Sequence, residues 1–290
     1  MPKSFKLELE EGAHVFLPGE TVNGAVVLEL ARPKKLLSVQ VSLVGWVEVL
    51  SETFSAKKQF MEDSTTAWSK PETESFGTLP EGRHVLPFSF TLPNDIPPSL
   101  ENEGDCGKIK YRLYGKIKSG KLQSGGVVEK ALRIVELVNC KQPDLQNPAH
   151  GMHKVDQSLF YFANTSMELN VELPRTGFKL EEDVPLTIGV DGCKSRISLT
   201  ARLVRRATAG VHGALTIDAE KVAKVALKSC KPSQNGTTVL WAPSLKIPRT
   251  DPSLKSDVIN VSYCVQVTAK SQWRPKLCVE IPVIIGNVSM

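Results

Sequence analysis

The chain is written twice, and that internal repeat limits its possible folds more than any other feature. Phe16 with Glu20-Thr21-Val22 recurs as Phe178 with Glu182-Asp183-Val184. Leu37, Val39, Val41 and Leu43-Val44 recur as Ile197, Leu199, Ala201 and Leu203-Val204. Phe90-Thr91-Leu92-Pro93 returns as Leu245-Lys246-Ile247-Pro248, and Pro98-Ser99-Leu100 as Pro252-Ser253-Leu254. Ile109-Lys110-Tyr111-Arg112-Leu113 returns as Val261-Ser262-Tyr263-Cys264-Val265. The spacing between partners shrinks steadily along the chain, as it must when strand order is kept and loops differ in length.

Within each copy the hydrophobic period is two. Leu37–Leu43, Phe88–Leu92, Ile197–Leu203, Val261–Val267 and Leu277–Ile281 alternate apolar and polar residues, burying one face of a strand and wetting the other. Pro18-Gly19, Pro80-Glu81-Gly82, Ser124-Gly125-Gly126 and Asn235-Gly236 supply turns between them. Only residues 51–75 and 214–228 lack clear strand logic, and the second fits a helical turn as well as a strand. The expected fold is all-β, two tandem immunoglobulin-like β-sandwiches. Pro143 and Pro148 end the strand that precedes them and cannot enter a new ladder. They set the expected division: a sandwich over 1–140, a linker over 141–150 and a second sandwich over 151–290.

A length of 290 residues suits two such domains. With 41% hydrophobic and 23% charged residues, neither disorder nor a membrane class is indicated. No apolar run approaches the roughly 18–20 residues of a membrane span, and Met1–Glu8 shows no signal-peptide core. The six cysteines, Cys106, Cys140, Cys193, Cys230, Cys264 and Cys278, form no C-x-x-C pair and are expected to be reduced thiols in the cytoplasm. The net charge of +5 falls in the second half. There Arg202, Arg205 and Arg206 form the candidate partner-binding cluster, facing anionic membrane or an acidic tail.

Chemistry is sparse. Neither phosphate-loop pattern occurs, and there is no G-x-S-x-G elbow. His150 and His153 are the right residue type for a metal but lack a third ligand, so no metal or cofactor is expected. His14, His84 and His212 have no Cys or Asp partner at catalytic spacing. Cys264 and Cys278 are the two thiols whose strand faces leave one open to solvent. Lys116 and Lys118 share a strand face, but no aromatic set interleaves them, which argues against nucleic acid. What remains is a binding platform whose edges and end loops can dock partners.

Particular residues carry a family resemblance. Phe16-Leu17-Pro18-Gly19-Glu20-Thr21-Val22-Asn23-Gly24 resembles the opening strand pair of the alpha-arrestins, and Leu79–Pro93 resembles their LP.G.H.FPF.F.LP hairpin. Pro98–Glu101, Gly107–Tyr111, Val135–Val138 with Pro143–Leu145, and Ile281–Asn287 are similar to later family segments, so the likeness spans about residues 5 to 288. The resemblance implies two arrestin-like sandwiches and a non-enzymatic cytoplasmic adaptor, peripheral to plasma membrane and endosomes. Such an adaptor links receptors or transporters to HECT-type ubiquitin ligases for endocytosis and sorting. The ligase contact runs through P-P-x-Y motifs in a tail that binds WW domains. Pro97-Pro98 is the only Pro-Pro here, so that tail is expected beyond Met290. Thr238 stands where the thioredoxin-binding members have their cysteine, which argues against thioredoxin as a partner. No extra Lys-bearing strand precedes Phe5, so the phosphate switch of visual and beta-arrestins is not implied. The alternatives are a regulator acting by protein sequestration and a trafficking coat subunit with the same body.

Overall fold

The computed structural model describes residues 2–10, 15–50, 55–101, 107–119, 126–159, 163–193, 196–211, 214–231, 238–271 and 275–288. His14, His212, Cys106 and the Asn235-Gly236 turn lie outside these residues, as does most of the Ser124–Gly126 turn. The chain divides into two compact units: Met1–Glu136 with Gly210–Thr216, and Leu137–Ala209 with Ile217–Met290.

The first unit contains β1 (Ser4–Leu9), β2 (Val15–Phe16), β3 (Thr21–Leu30), β4 (Lys34–Leu36) and β5 (Ser38–Leu50). It continues with β6 (Ser55–Ser69), β7 (Gly77–Leu79), β8 (Gly82–Thr91), β9 (Gly107–Lys118) and β10 (Val127–Ile134). One sheet has the order β1-β3-β8 and the other β2-β10-β9-β5-β6, with β4 and β7 paired separately. Their inner faces meet over Leu28, Val26, Leu43, Val41, Ile109, Tyr111, Leu113 and Leu132, all at most 1% exposed. These are the alternate residues of their strands, so the period-two pattern is the core itself.

From Ala149 on, in the second unit except for Gly210–Thr216, come β11 (Ala149–Leu159), β12 (Ala163–Leu173), β13 (Gly177–Lys179), β14 (Asp183–Pro185), β15 (Thr187–Asp191) and β16 (Ile197–Val211). After these come β17 (Ala214–Cys230), β18 (Val239–Trp241), β19 (Ser244–Lys246), β20 (Leu254–Lys255), β21 (Ile259–Ser271) and β22 (Leu277–Gly286). Their sheets run β11-β12-β15-β18 and β13-β22-β21-β16-β17, β20 pairing with β21 and β14 with β19. The chain is therefore two all-β sandwiches in tandem.

The repeat holds down to single hydrogen bonds. Each unit starts its wall with a short strand parallel to its last one: Phe16 opposite Ile134, Phe178 opposite Ile285. Turns Leu17–Glu20 and Lys179–Glu182 follow, each closed by a carboxylate that accepts the first residue's N–H, at 2.8 and 2.7 Å. Both turns need a left-handed third residue, which is Gly19 (φ 85°) in one and Glu181 (φ 64°) in the other. Ser99 donates its N–H to the Ile134 carbonyl and accepts the Ile134 N–H on its hydroxyl. Ser253 does the same with Ile285. The buried hydroxyls of Tyr111 and Tyr263 donate to the carbonyls of Pro97 and Asp251 at 2.5 and 2.6 Å.

Differences from the sequence reading are local. Residues 55–69 and 214–230 are strands, the outer arms of two long hairpins. They show no alternation because neither buries a face: none of the described side chains of β6 or β17 is buried. Residues 138–146 are bonded into the second unit. Asn139 bridges Val288, Val138 accepts the N–H groups of Asn287 and Val288, and Leu145 accepts that of Thr176. This strap lies so close that a Cβ on Gly177 would stand 2.1 Å from the Cys140 carbonyl oxygen. Pro143 opens a short 3-10 turn, Pro143–Gln146, and the next strand begins at Ala149, so His150 stands in β11.

Replacing Tyr111 by Phe leaves the Pro97 carbonyl without its donor and is expected to cost about 1–2 kcal/mol. Tyr263→Phe should cost at least as much, because its hydroxyl also bonds Thr250 at 2.9 Å. Urea titration of each variant checks this, and a loss well under that range at either site would refute the clasp as a stabilising element.

Candidate docking surfaces

β9 carries the most concentrated charge in the first unit. Ile109, Tyr111, Leu113 and Ile117 point into the core, so Lys108, Lys110, Arg112, Tyr114, Lys116 and Lys118 share the outer face. Successive members lie about 6.8 Å apart on an extended strand. Register places them against Glu48, Trp46, Val44, Ser42, Gln40 and Ser38 of β5 on one side. On the other side Arg112, Tyr114 and Lys116 stand against Ala131, Glu129 and Val127 of β10. Two cations are matched locally: Lys110 Nζ lies 2.7 Å from Glu48 Oε2, and Arg112 Nη2 3.2 Å from Glu101 Oε2. Lys108, Lys116 and Lys118 make no ion pair among the described residues. Lys57 lies over the Trp46 ring at 4.1 Å, and the indole donates to Glu48 at 2.8 Å. Burial alone would raise the Glu48 carboxyl. The bonds from Lys110 and Trp46 and the charges of Lys110 and Lys57 outweigh it and hold the group below its usual 4.5.

The three arginines expected to act together are separated by the pleat. Odd residues of β16, Leu203, Arg205 and Ala207, face the core, and even ones face out. Arg205 is buried, its side chain 4% exposed, and Nη2 donates to Asp251 Oδ2 at 3.2 Å. It stands opposite Tyr263, as Gly45 stands opposite Tyr111 in the first unit. Arg202 and Arg206 share the outer face, where Arg206 donates to Glu280 at 2.7 Å. Gln266 joins them, donating to Glu280 at 2.8 Å and accepting from Arg202 at 3.5 Å. The Arg206 bond holds the Glu280 carboxyl below its usual 4.5. The cluster is one buried ion pair and one hydrogen-bonded surface chain of two arginines, a glutamine and one glutamate, not a single patch.

Other sequence candidates are also placed. His150 and His153 point to opposite faces of β11, so one ion cannot take both. His150 Nδ1 lies 3.6 Å from Glu172, and His153 Nδ1 contacts the Cys278 backbone carbonyl at 2.9 Å. Among the described residues no three His, Cys, Asp or Glu side chains group as a metal site. His84 Nε2 bonds the Pro80 carbonyl at 2.9 Å. All five described cysteines are free thiols; Cys264 is buried and Cys278 half-buried. Burial raises the Cys264 thiol, which keeps it protonated and unreactive. Thr238, exposed at the start of β18, donates its hydroxyl to Asp191 Oδ1 at 2.5 Å. A concavity of about 470 Å³ opens between the strap and β13, and both of its carboxylates are already paired. Arg175 pairs with Glu182, and Glu181 with Arg249. Among the described residues no helix is long and apolar enough to cross a membrane.

Two matched sandwiches, clasped alike by a serine and a tyrosine, make up the body of this chain. "Arrestin (or S-antigen), N-terminal domain" matches residues 5–140, and "Arrestin (or S-antigen), C-terminal domain" matches 163–290. The chain belongs to the arrestin family, on its alpha-arrestin side. It is 25% identical over 304 residues to mouse (Mus musculus) Arrestin domain-containing protein 4, covering 99% of this chain and 72% of the relative. Human (Homo sapiens) Arrestin domain-containing protein 1 is 24% identical over 303 residues, covering 99% and 65%. Human Thioredoxin-interacting protein is 22% identical over 298 residues, covering 99% and 75%.

Glu48 and Glu280 have folded-state affinities for protons below their unfolded ones. Their contribution to stability is therefore complete above the usual 4.5 and is lost as pH falls through the lower folded values. The urea midpoint is expected to fall below about pH 4.5, and less steeply in a Glu48→Gln, Glu280→Gln double variant. Equal slopes for the two proteins would remove these carboxylates from the acid response.

Proposed function

We propose that this chain is the body of an adaptor that links membrane-protein cargo to HECT-type ubiquitin ligases for ubiquitination, endocytosis and endosomal sorting. Its place of work on this reading is the cytoplasmic side of plasma membrane and endosomes. The general trafficking-adaptor role follows from membership of the arrestin family. The ligase link rests on the likeness to the arrestin-domain-containing relatives, of which this chain covers 64% to 72%. It would run through a P-P-x-Y tail, which these residues do not contain.

One observation carries the cargo half: the outer face of β9, where Lys116 and Lys118 stand side by side and Lys108 stands at the other end of the row, none of them in an ion pair among the described residues. A row of five cations, three of them without an ion pair among the described residues, suits an acidic cytosolic segment of a cargo protein. Arg202 and Arg206 contribute less, because Arg206 is already paired with Glu280 and Arg202 is bonded to Gln266. Arg205, inside the core, is paired with Asp251 and is not open to a partner. Thioredoxin is not among the proposed partners, since the Thr238 hydroxyl cannot form a mixed disulfide.

Charge reversal separates these roles. Lys108→Glu with Lys116→Glu and Lys118→Glu is expected to weaken binding of an acidic cargo-tail peptide about tenfold or more, at roughly 0.2–1 kcal/mol per exposed pair made or reversed. The loss should shrink as salt rises. Arg202→Glu with Arg206→Glu should have a smaller effect. Unchanged peptide affinity in the lysine variant would sink the cargo face, and binding to anionic vesicles alone would assign it to membrane instead. The ligase half is tested on the natural full-length protein: co-precipitation with WW domains, abolished by Tyr→Ala in any P-P-x-Y motif, supports it. Failure to co-precipitate overturns it and leaves the sequestration or coat-subunit reading.

A further inference from the structure

β17 is the outer edge of the second unit's larger sheet, paired among the described residues with β16 alone. It is also the longest strand described, at 17 residues. An edge of that length presents a row of N–H and C=O groups at alternate residues with no partner strand. Ile217, on this edge, is 66% exposed. The corresponding outer arm of the first unit is β6, and its edge is interrupted. Gln59 stands opposite Trp46 and Met61 opposite Gly45, so Phe60 is an extra residue and the strand bulges there. A bulge twists an edge away from new partners.

We propose that β17 is a self-association edge, to which a second copy of this chain adds its own β17 antiparallel, so that two sheets continue as one. The charges along the strand select both the occupant and the register. A two-fold axis normal to the sheet keeps each face on its own side, so the axis passes through one residue, which meets its own copy. With the axis at Val222, Glu220 stands opposite Lys224 of the second copy, and Lys224 opposite Glu220. On the other face Ile217 meets Leu227, and Ala219 meets Val225. Shifting the axis to Lys221 sets that lysine against itself. Shifting it to Ala223 puts Glu220 against Ala226 and Lys224 against Val222, so neither meets an opposite charge. Glu220 and Lys224 are both exposed and make no ion pair within the chain among the described residues. A dimer built this way carries every docking face twice, which raises avidity for clustered cargo without any new contact.

Sedimentation equilibrium of the purified chain from about 1 µM to 1 mM, the range of weak to moderate association, is expected to show a monomer–dimer equilibrium. Glu220→Lys or Lys224→Glu alone turns two attractions into repulsions and should weaken dimerisation about tenfold. The double exchange, Glu220→Lys with Lys224→Glu, should restore it. Circular dichroism and melting curves confirm that each variant is folded. Independently, Val222→Cys should give a disulfide-linked dimer under mild oxidation, above the level of the parent protein, while Ala226→Cys should not. A monomer at every concentration overturns the proposal. So does a dimer indifferent to the single reversals, a double exchange that fails to restore, or cross-linking as ready at 226 as at 222.

Discussion

In each unit a loop between the two sheets is clasped to the strand that closes the sandwich, and the rest of the architecture hangs on that clasp. Ser99 and Ser253 each satisfy both backbone groups of one residue in the closing strand, Ile134 and Ile285. Two positions earlier, the carbonyls of Pro97 and Asp251 accept from a buried tyrosine on the neighbouring strand. Without these bonds the buried tyrosine hydroxyls and the half-buried loop groups would lose their partners, at about 1–3 kcal/mol for each buried group left unpaired. Because the same residues make the same bonds twice, the central strands β5 and β16 are held in the same relation to the rest of their units. The long hairpins β5–β6 and β16–β17 extend from that fixed base.

Charge is then handled differently on the two faces of each sheet. A cation that parity turns inward must be answered, and Arg205 is, by Asp251 and beside Tyr263, at a place where the first unit has Gly45. Cations that parity turns outward cost little and are free to recognise partners. β9 keeps five of them on one side, whereas the outer face of β16, β21 and β22 carries two arginines, one paired with Glu280 and the other bonded to Gln266. A half with no net positive charge thus presents the more available basic face, because recognition depends on where charges stand and what already answers them.

Much of this was legible in the residue order. The repeated pairs Phe16/Phe178, Glu20/Glu182, Ser99/Ser253 and Tyr111/Tyr263 proved to be the very residues of the turns and clasps. The separation of Arg205 from Arg202 and Arg206 was legible too, since Leu203, Arg205 and Ala207 alternate with them, but adjacency in sequence suggested a cluster that the pleat pulls apart. The lysine row of β9 was visible at Lys116 and Lys118, and the same alternation extends it back to Lys108. β6 and β17 could not be read, because alternation records burial of one face and these arms bury none.

By itself, then, the sequence determined the strand periodicity, the duplication and the parity of every side chain within a strand, because these follow from local backbone geometry. Only the tertiary structure decided what lies across from each residue: that Glu280 neutralises Arg206, that Asp251 receives Arg205, that residues 138–146 belong to the second unit's fabric, and that β17 has a free edge. Those are contacts between residues tens to more than a hundred positions apart. Their partners are chosen by how strands stack and pair, which no local pattern encodes.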